Sequence, residues 1–580
     1  MFRIHAGLPA FLAAAGLLTP GGARSIAADA PYAGTWKVTI NLPAQSVDMW
    51  LLRIEQKDGK PAATMLSTSD AKLQDSKVEQ ITADDKSVHF TVHTRVVDFP
   101  VAVYFPKDDA KQKKLLGSVP ANSQRWFVEM ERSDLTKLDA RESSRDNPGV
   151  QDAREASQIR DPKRRAAAFK ELLEKYPEGM LAFFARLDLL GMTTSAGTPD
   201  TDLRGDADQL IKLAAPYGPE MKLHALQMVT QMFMSTGKLD ALGLYYAQEA
   251  AKTLDANTPA LQQAAVLKSL RSALKKNGKV DEARALHDRI AKLDAELDEE
   301  FARSAVPFTP EPAKARKGEG NRVLLVELFT GVMCPPCVAA DVAFDALLQS
   351  HKPADVVLLQ YHMPIPGPDP LTNRSAETRF KFYDLEGTPS VVLNGKPILQ
   401  ARIGQDGRPT GPVFGGLKQG GKESYQNLVQ ALDGQLESKP GAHISLSAKQ
   451  EADTINIHAD VTDVSRPGDS VRLRLVLVED VVHFAGSNGQ RLHHHVVRAF
   501  PGGVDGLALK QASAQRDARV NISELQKSLN EYLAGEKFDE DSRPLELKRL
   551  KVVAFVQDDA TKEVLQAAQV DVGGSHPQTK

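Results

Sequence analysis

The sequence is poor in cysteine, in excess charge of one sign and in long hydrophobic runs, and each shortage excludes a class of protein. Only two cysteines occur among 580 residues, so the chain is not a disulfide-rich scaffold. The net charge is −3 and like charges form no long block, which argues against a general nucleic-acid binder. Beyond Leu18 no stretch is apolar enough to predict a membrane helix. The overall composition, 42% hydrophobic and 25% charged, is that of globular proteins.

The first 30 residues predict a secretory signal peptide. Arg3 precedes an apolar stretch from Leu8 to Leu18, and the small residues of Gly21–Ala30 offer cleavage sites. The apolar stretch is shorter than the roughly 20 residues that span a bilayer, although an uncleaved anchor or a buried helix is the alternative. We therefore expect export to the periplasm or the extracellular space, with no integral membrane segment after signal removal. That compartment permits disulfides.

Hydrophobic periodicity divides the first half of the remaining chain into two regions. Residues 31–139 alternate apolar and polar side chains, as in Trp36, Val38 and Ile40, which predicts an antiparallel β barrel or sandwich. Residues 142–306 show helical spacing. Similar segments that begin at Gly237 and Gly278 resemble tetratricopeptide-type hairpins, although their spacing exceeds the usual period of about 34 residues. The helices could bind a partner or serve only as a spacer.

The second half of the chain returns to strands. Residues 307–320 are rich in proline, glycine and charge, and predict a linker. Residues 321–434 alternate buried strands with helices, which predicts a βαβ unit followed by further α/β elements. Residues 440–573 predict a β-sandwich with a helical insertion, marked by the apolar spacing of Ile522, Leu525, Leu529 and Leu533. The predicted fold class is thus multidomain.

Both cysteines lie in one short segment, GVMCPPCVAADVAF, which follows the first strand of the α/β region. A disulfide between Cys334 and Cys337 would close a very small loop and therefore stabilise the fold little. A C-x-x-C motif beside a βαβ pattern indicates redox chemistry instead. We expect Cys334 at the exposed tip, near the positive end of the next helix, and Cys337 pointing inward. Cys334 would then attack a substrate disulfide, and Cys337 would resolve the mixed disulfide.

Two other roles for the cysteines are an inert disulfide and a zinc site. Zinc needs four ligands, and neither His351 nor His362 has close ligand spacing to the pair. The segment HHHVV places His493 and His495 on one face of a predicted strand. We favour solvent-exposed side chains there over a metal site. We predict no metal and no cofactor.

The α/β region resembles the thioredoxin-fold superfamily. The likeness rests on the strand, the C-x-x-C motif at a helix start and the later "GTPSVVLNG", which places Thr388 and Pro389 before a strand. The resemblance implies that Pro389 is cis and that Thr388 binds the substrate chain as an added strand. More narrowly, Val323–Val572 resembles secreted bacterial thioredoxin-like proteins of the outer-membrane-protein-28-related kind.

One position departs from the thioredoxin pattern. Thioredoxins carry a buried carboxylate six residues before the first cysteine, whereas Glu327 stands seven residues before Cys334. Glu327 could lie under Cys337, where burial would raise its pKa and suit it to proton transfer. Alternatively, it faces a polar pocket and takes no part in the chemistry.

These observations predict an exported thiol–disulfide oxidoreductase with catalytic Cys334, Cys337 and Glu327 and a substrate-binding loop at Thr388 and Pro389. Its expected partners are protein thiols and disulfides and an upstream redox partner, with no nucleic acid. The alternative is an envelope binding or assembly protein in which the thioredoxin-like region is a non-catalytic scaffold.

Overall fold

The structure is a computed structural model that describes residues 30–576 except 71–72, 95–97, 108–112, 122–123, 197–199, 317–319, 399–414, 539 and 574. The predicted signal peptide, apart from its last residue, lies outside the described residues. The described chain forms two compact units. The first comprises the residues up to Leu254 with Ser269–Val280, and the second comprises Asp255–Lys268 with Asp281 onward.

The first unit begins with an antiparallel sheet that contains nine strands within the described residues. The strands are β1 Gly34–Asn41, β2 Gln45–Lys57, β3 Lys60–Thr68, β4 Lys77–Ala83, β5 Ser87–His93, β6 Asp98–Tyr104, β7 Lys114–Ala121, β8 Gln124–Arg132 and β9 Ser144–Asp146. Their order is β3-β2-β1-β8-β7-β6-β5-β4, with β9 paired to β2. Trp36 and Trp50 are buried in the core of this sheet, and Met65 of β3 and Val78 of β4 pack against that core. Because both ends of the sheet reach one core, the sheet is rolled, and the predicted antiparallel β domain is confirmed.

Helices follow this sheet, as the periodicity of residues 142–306 predicts. They are α1 Val150–Gln158, α2 Pro162–Lys175, α3 Gly179–Ala196, α4 Asp200–Ala214, α5 Pro219–Ser235, α6 Asp240–Lys252, α7 Ala260–Lys276, α8 Val280–Arg284 and α9 His287–Ser304. In the first unit the helices pack against the sheet, where the rings of Phe127 and Tyr217 stack 4.1 Å apart. The Tyr104 hydroxyl also donates to Glu220 Oε1 at 2.7 Å.

The second unit contains the α/β region and the C-terminal strands. Its elements are β10 Leu324–Thr330, α10 Val338–Ser350, β11 Val356–His362, α11 Arg374–Phe382, β12 Ser390–Leu393, β13 Lys396–Ile398, α12 Gly421–Asp433, β14 His443–Glu451, β15 Thr454–Thr462, β16 Val471–His483, β17 Leu492–Ala499, β18 Leu507–Ala508, β19 Ala514–Asn521, α13 Ile522–Gly535, β20 Leu550–Asp558, β21 Val564–Asp571 and β22 Ser575–His576. No helix in the described part of the chain has the length and hydropathy needed to cross a bilayer.

One sheet runs through both halves of this unit, in the order β13-β12-β10-β11-β17-β16-β20-β21. β10 is parallel to β11 and antiparallel to β12, and Gln360 of β11 pairs with Val496 of β17. A second sheet, β19-β15-β14-β22, packs face to face on β16 and β20 through one apolar core. The C-terminal region is therefore a two-layer β structure, and one of its layers extends the sheet of the α/β region.

Helices cover the two faces of the sheet at β10. Leu324, Val326 and Leu328 point to α10 and α12, whereas Leu325 and Phe329 point to α11. The alternation follows the period of two along a strand. Helices α10 and α12 approach closely at Gly421, where a Cβ atom would lie 2.4 Å from Val342. Position along β10 therefore decides which helix a side chain can reach.

The segment predicted as a linker, residues 307–320, forms no helix or strand in its described part. It lies along the second unit, because Phe308 packs against the α10–α12 core and the Tyr425 hydroxyl donates to the Glu311 carbonyl at 2.9 Å. Arg316 donates to Asp355 at 2.8 Å and to the Leu436 carbonyl at 2.9 Å. The segment is thus anchored by both apolar and polar contacts.

Candidate functional site

The two cysteines form a disulfide at the start of α10. A short 3-10 turn, Pro335–Cys337, follows Cys334, and α10 continues from Val338. The Cys337 amide donates to the Cys334 carbonyl at 3.1 Å, which closes the turn. Cys337 is fully buried, as its predicted inward direction requires.

Cys334 is more enclosed than the sequence predicts. Its exposed fraction is only 4%, so the prediction of an exposed tip is wrong for the disulfide form. The physical reason is that two distant segments, described below, cover the cysteine loop, one at the Cys334 sulfur and the other at the backbone. Met333, Pro335 and Pro336 beside it are exposed, so the disulfide lies directly beneath the surface.

The first covering segment is the loop before β12, which contains Thr388 and Pro389. The Thr388 hydroxyl donates to Cys334 Sγ at 3.4 Å, and the sulfur lies 3.7 Å from the Thr388 carbonyl oxygen. The Thr388–Pro389 peptide bond is cis, as the resemblance implies. The structure therefore brings the two predicted loop residues to the disulfide.

The second covering segment is the turn of the β16–β17 hairpin, from the C-terminal region. The Asn488 side chain donates to the Gly331 carbonyl at 3.1 Å, and its backbone amide donates to the Val332 carbonyl at 3.1 Å. The loop that precedes Cys334 is thereby fixed by a residue distant in sequence. The local sequence around Asn488 does not predict this long-range contact.

Backbone contacts also fix the turn at Pro336. The Gly416 amide donates to the Pro336 carbonyl at 2.7 Å, and the Ala339 amide donates to the Gly416 carbonyl at 3.0 Å. A Cβ atom at the neighbouring Gly415 would lie 3.3 Å from both the Pro336 carbonyl oxygen and the Pro389 ring. Glycine therefore permits this close approach.

Glu327 lies on the opposite face of the sheet from α10. Its carboxylate accepts from Arg379 Nε of α11 at 2.9 Å, and from the hydroxyls of Tyr361 at 2.9 Å and Tyr383 at 2.5 Å. Burial and the charge of Glu327 raise the pKa of both tyrosines well above the usual value. These contacts fit the polar-pocket interpretation of Glu327, and they place it away from Cys337.

A different carboxylate lies on the same side of the sheet as the cysteines. Asp341 of α10 is 5% exposed, and Gln360 of β11 donates to its Oδ1 at 3.2 Å. Burial, together with the charges of Asp345 and Asp369, raises the pKa of Asp341 to about 8. Asp341 stands four residues after Cys337, so both side chains occupy one face of the helix.

Further polar groups continue from Gln360 to the cysteine loop. Gln360 Oε1 lies 3.3 Å from His362 Nε2, and His362 Nδ1 lies 3.1 Å from Asp369 Oδ2. The Val332 amide donates to that same Asp369 oxygen at 2.8 Å. Burial favours the protonated form of Asp369, but His362 and the backbone amides lower its pKa below the usual range.

The next turn of α10 carries Asp345. Its Oδ1 lies 2.7 Å from His494 Nδ1 of β17. Burial opposes protonation of His494, yet the charges of Asp345 and Asp480 hold its pKa above the usual value. The His494 side chain is 23% exposed, so this pair reaches solvent.

The remaining histidines of the HHHVV segment bind protein groups. His493 Nε2 lies 3.0 Å from the Phe484 carbonyl oxygen, and burial with the nearby His362 lowers the pKa of His493 to about 3. His495 Nδ1 lies 3.0 Å from the Leu358 carbonyl oxygen. Among the described residues, no three His, Cys, Asp or Glu side chains form a group with metal-binding geometry.

Asp341 and Asp345 are not among the predicted site residues, although the sequence carries a signal for them. Both are acidic residues within the otherwise apolar run of residues 338–348, and they follow Cys337 at four-residue intervals. Comparisons of the chain with protein-family models, curated proteins and solved structures found no match. The function is therefore inferred from the residues of the site itself.

Proposed function

We propose that the protein is an exported thiol–disulfide oxidoreductase that uses Cys334 and Cys337 for exchange with protein substrates. The observation that carries the proposal is the disulfide between the chain's only cysteines at the start of α10, contacted by the Thr388–Pro389 loop. A structural disulfide gains little stability from so short a loop. The order of β10, α10, β11, α11, β12, β13 and α12, with the strand directions above, supports the thioredoxin-like interpretation.

In the reductive direction, a thiolate of the redox partner attacks the disulfide at Cys334, and Cys337 leaves as a thiolate that takes up a proton. A second thiol of the partner attacks the partner sulfur of this mixed disulfide, which releases Cys334 as a thiolate and leaves the partner oxidised to a disulfide. Cys334 then attacks a substrate disulfide and releases one substrate thiol. Cys337 attacks Cys334 Sγ, which reforms the disulfide and releases the second substrate thiol. Two electrons thus pass from the partner to the substrate. The same steps in reverse oxidise a substrate.

The position of Cys334 also supports its role as the attacking residue. It lies directly beneath exposed Met333, Pro335 and Pro336, whereas Cys337 is fully buried beneath it. The Thr388 hydroxyl stabilises a thiolate at Cys334 because it donates a hydrogen bond to the sulfur. Attack by an incoming thiol is therefore expected at Cys334.

Insulin reduction with dithiothreitol as the electron source tests the proposal. Wild-type protein should accelerate precipitation of the insulin B chain, and Cys334→Ser should abolish the acceleration. Ser157→Ala serves as the control and should retain turnover, because the exposed Ser157 hydroxyl donates to the Ala153 carbonyl of α1 in the first unit. Equal background rates for wild type and Cys334→Ser would instead support the scaffold function.

A further inference from the structure

Three ionisable side chains occur at regular intervals from the N-cap of α10 along the helix. Cys337, Asp341 and Asp345 are spaced four residues apart, so each lies about one helical turn from the next. The row begins at a fully buried sulfur and ends at Asp345, whose carboxylate contacts the partly exposed His494. It therefore leads from the interior of the site to solvent.

A buried thiol that loses or gains a proton needs nearby ionisable groups that can carry the proton to or from solvent. Cys337 is a thiol when reduced and must lose its proton to attack Cys334, because the thiolate is the nucleophile. Water has little access to the sulfur, since Cys337 is fully buried. Glu327 is not available for this step, because its carboxylate is engaged by Arg379 and two tyrosines across the sheet.

We propose that Asp341 accepts the proton of Cys337 and that Asp345 and His494 pass it to solvent. This inference rests on the proposed function and adds a proton route to it. The S–H bond of Cys337 breaks, the proton binds Asp341, and the electron pair left on sulfur forms the new bond to Cys334. The bond from Cys334 to the substrate sulfur breaks, and the substrate leaves as a thiolate. In the opposite direction, Asp341 donates the proton to Cys337.

The charged surroundings of Asp341 suit both directions. The groups that act on it are Thr330 of β10, Gln360 of β11, Asp369 of the loop before α11 and Asp345 of its own helix, and no cation is among its contacts in the described residues. With a pKa of about 8, Asp341 holds a proton at neutral pH and releases it at mildly alkaline pH. A carboxyl group that titrates close to the operating pH is an effective proton donor and acceptor.

Release of thionitrobenzoate in a single turnover isolates the proposed step. Reduced protein reacts with dithiobis(nitrobenzoate) at Cys334 and releases one thionitrobenzoate, and attack by Cys337 then releases the second. In wild type the rate of the second release should rise with pH through a midpoint near 8. Asp341→Asn should slow it about 10²-fold at pH 8, because general-base assistance is lost. Asp341→Glu should restore part of the rate.

A second variant separates proton transfer from a structural role. Asp345→Asn removes a negative charge that raises the pKa of Asp341, so the midpoint of the wild-type profile should move to lower pH. A packing defect would change the rate without moving the midpoint. His494→Gln should slow the second release less than Asp341→Asn does, because it lies at the solvent end.

These measurements distinguish failure of the proton route from failure of the proposed function. If wild type releases no second thionitrobenzoate, Cys337 does not resolve adducts and the oxidoreductase function fails. If wild type releases it and both aspartate variants keep its rate and midpoint, the proton route is wrong and the function stands. If Asp341→Asn does not fold, Asp345→Asn still tests the route. A pH midpoint of the second release equal to that of wild type would by itself overturn the route.

Discussion

The two faces of the sheet at β10 each bury a carboxylate, and the two are held in opposite ways. On the α11 face, Glu327 pairs with the guanidinium of Arg379 and accepts from two tyrosine hydroxyls. On the α10 face, Asp341 accepts from the neutral amide of Gln360, and its neighbours in the described residues include further carboxylates but no cation. Burial against a cation gives an ion pair with a structural role, whereas burial without one raises the pKa of Asp341 to about 8.

The largest expected effect of one substitution at a single pH is on stability at the α11 face. Glu327→Gln leaves the buried Arg379 guanidinium without its counter-charge, which should lower the free energy of unfolding by about 3–5 kcal/mol. Urea denaturation at neutral pH measures this change. The folded variant should keep the wild-type pH dependence of thionitrobenzoate release. Normal stability together with an altered pH profile would assign the proton role to Glu327 instead.

The next effect concerns how stability varies with pH at the α10 face. The folded pKa of Asp341, about 8, lies above the value of about 3.9 for an unfolded aspartate. The protonated form favours the folded state, so this contribution is complete below the unfolded pKa and is lost as pH rises towards 8. Wild type should lose up to about 1.4 kcal/mol per pH unit relative to Asp341→Asn between these pH values.

Urea denaturation of wild type and Asp341→Asn at a series of pH values checks this prediction. The difference between the two free energies of unfolding should change steadily across the interval. As pH rises, Asp341→Asn should become more stable relative to wild type. A constant difference would mean that Asp341 ionises normally, and the contrast between the two faces would disappear.

The smallest expected effect is at the loop that contacts Cys334. Thr388→Val removes a hydrogen bond to the sulfur, and one such bond contributes about 0.5–1.5 kcal/mol, so the first thionitrobenzoate release should slow by roughly tenfold or less. The matched control is Thr378→Val, because the exposed Thr378 hydroxyl donates only to the Arg374 carbonyl of α11 in the described structure. Equal rates for both variants would remove Thr388 from the mechanism.

Much of the fold follows from local sequence pattern. The apolar run LKVVAFVQD predicts a strand and forms β20, and the spacing of Ile522, Leu525, Leu529 and Leu533 predicts a helix and forms α13. Local patterns succeed here because side-chain periodicity is set by the geometry of the element itself. The predicted strand, cysteine pair, helix and Thr-Pro loop also occur in that order around the disulfide.

The features that the sequence could not predict are contacts between elements that are distant along the chain. The parity of β10 places Glu327 with Leu325 and Phe329, but only the packed structure shows that this face meets α11. Asn488 reaches the cysteine loop from the β16–β17 turn, and β17 joins the α/β sheet through a single pairing with β11. These long-range contacts leave no periodic signal, so the burial of Cys334 was unexpected.

Trapping of a mixed disulfide tests the central claim most directly. Cys337→Ser leaves Cys334 able to attack but removes the residue that resolves the adduct. The reduced variant, mixed with insulin, should accumulate an insulin adduct that is visible on a non-reducing gel and is lost on reduction. Cys334→Ser should trap nothing. If neither variant forms an adduct while wild type binds insulin unchanged, the cysteines do not perform exchange and the region is a scaffold.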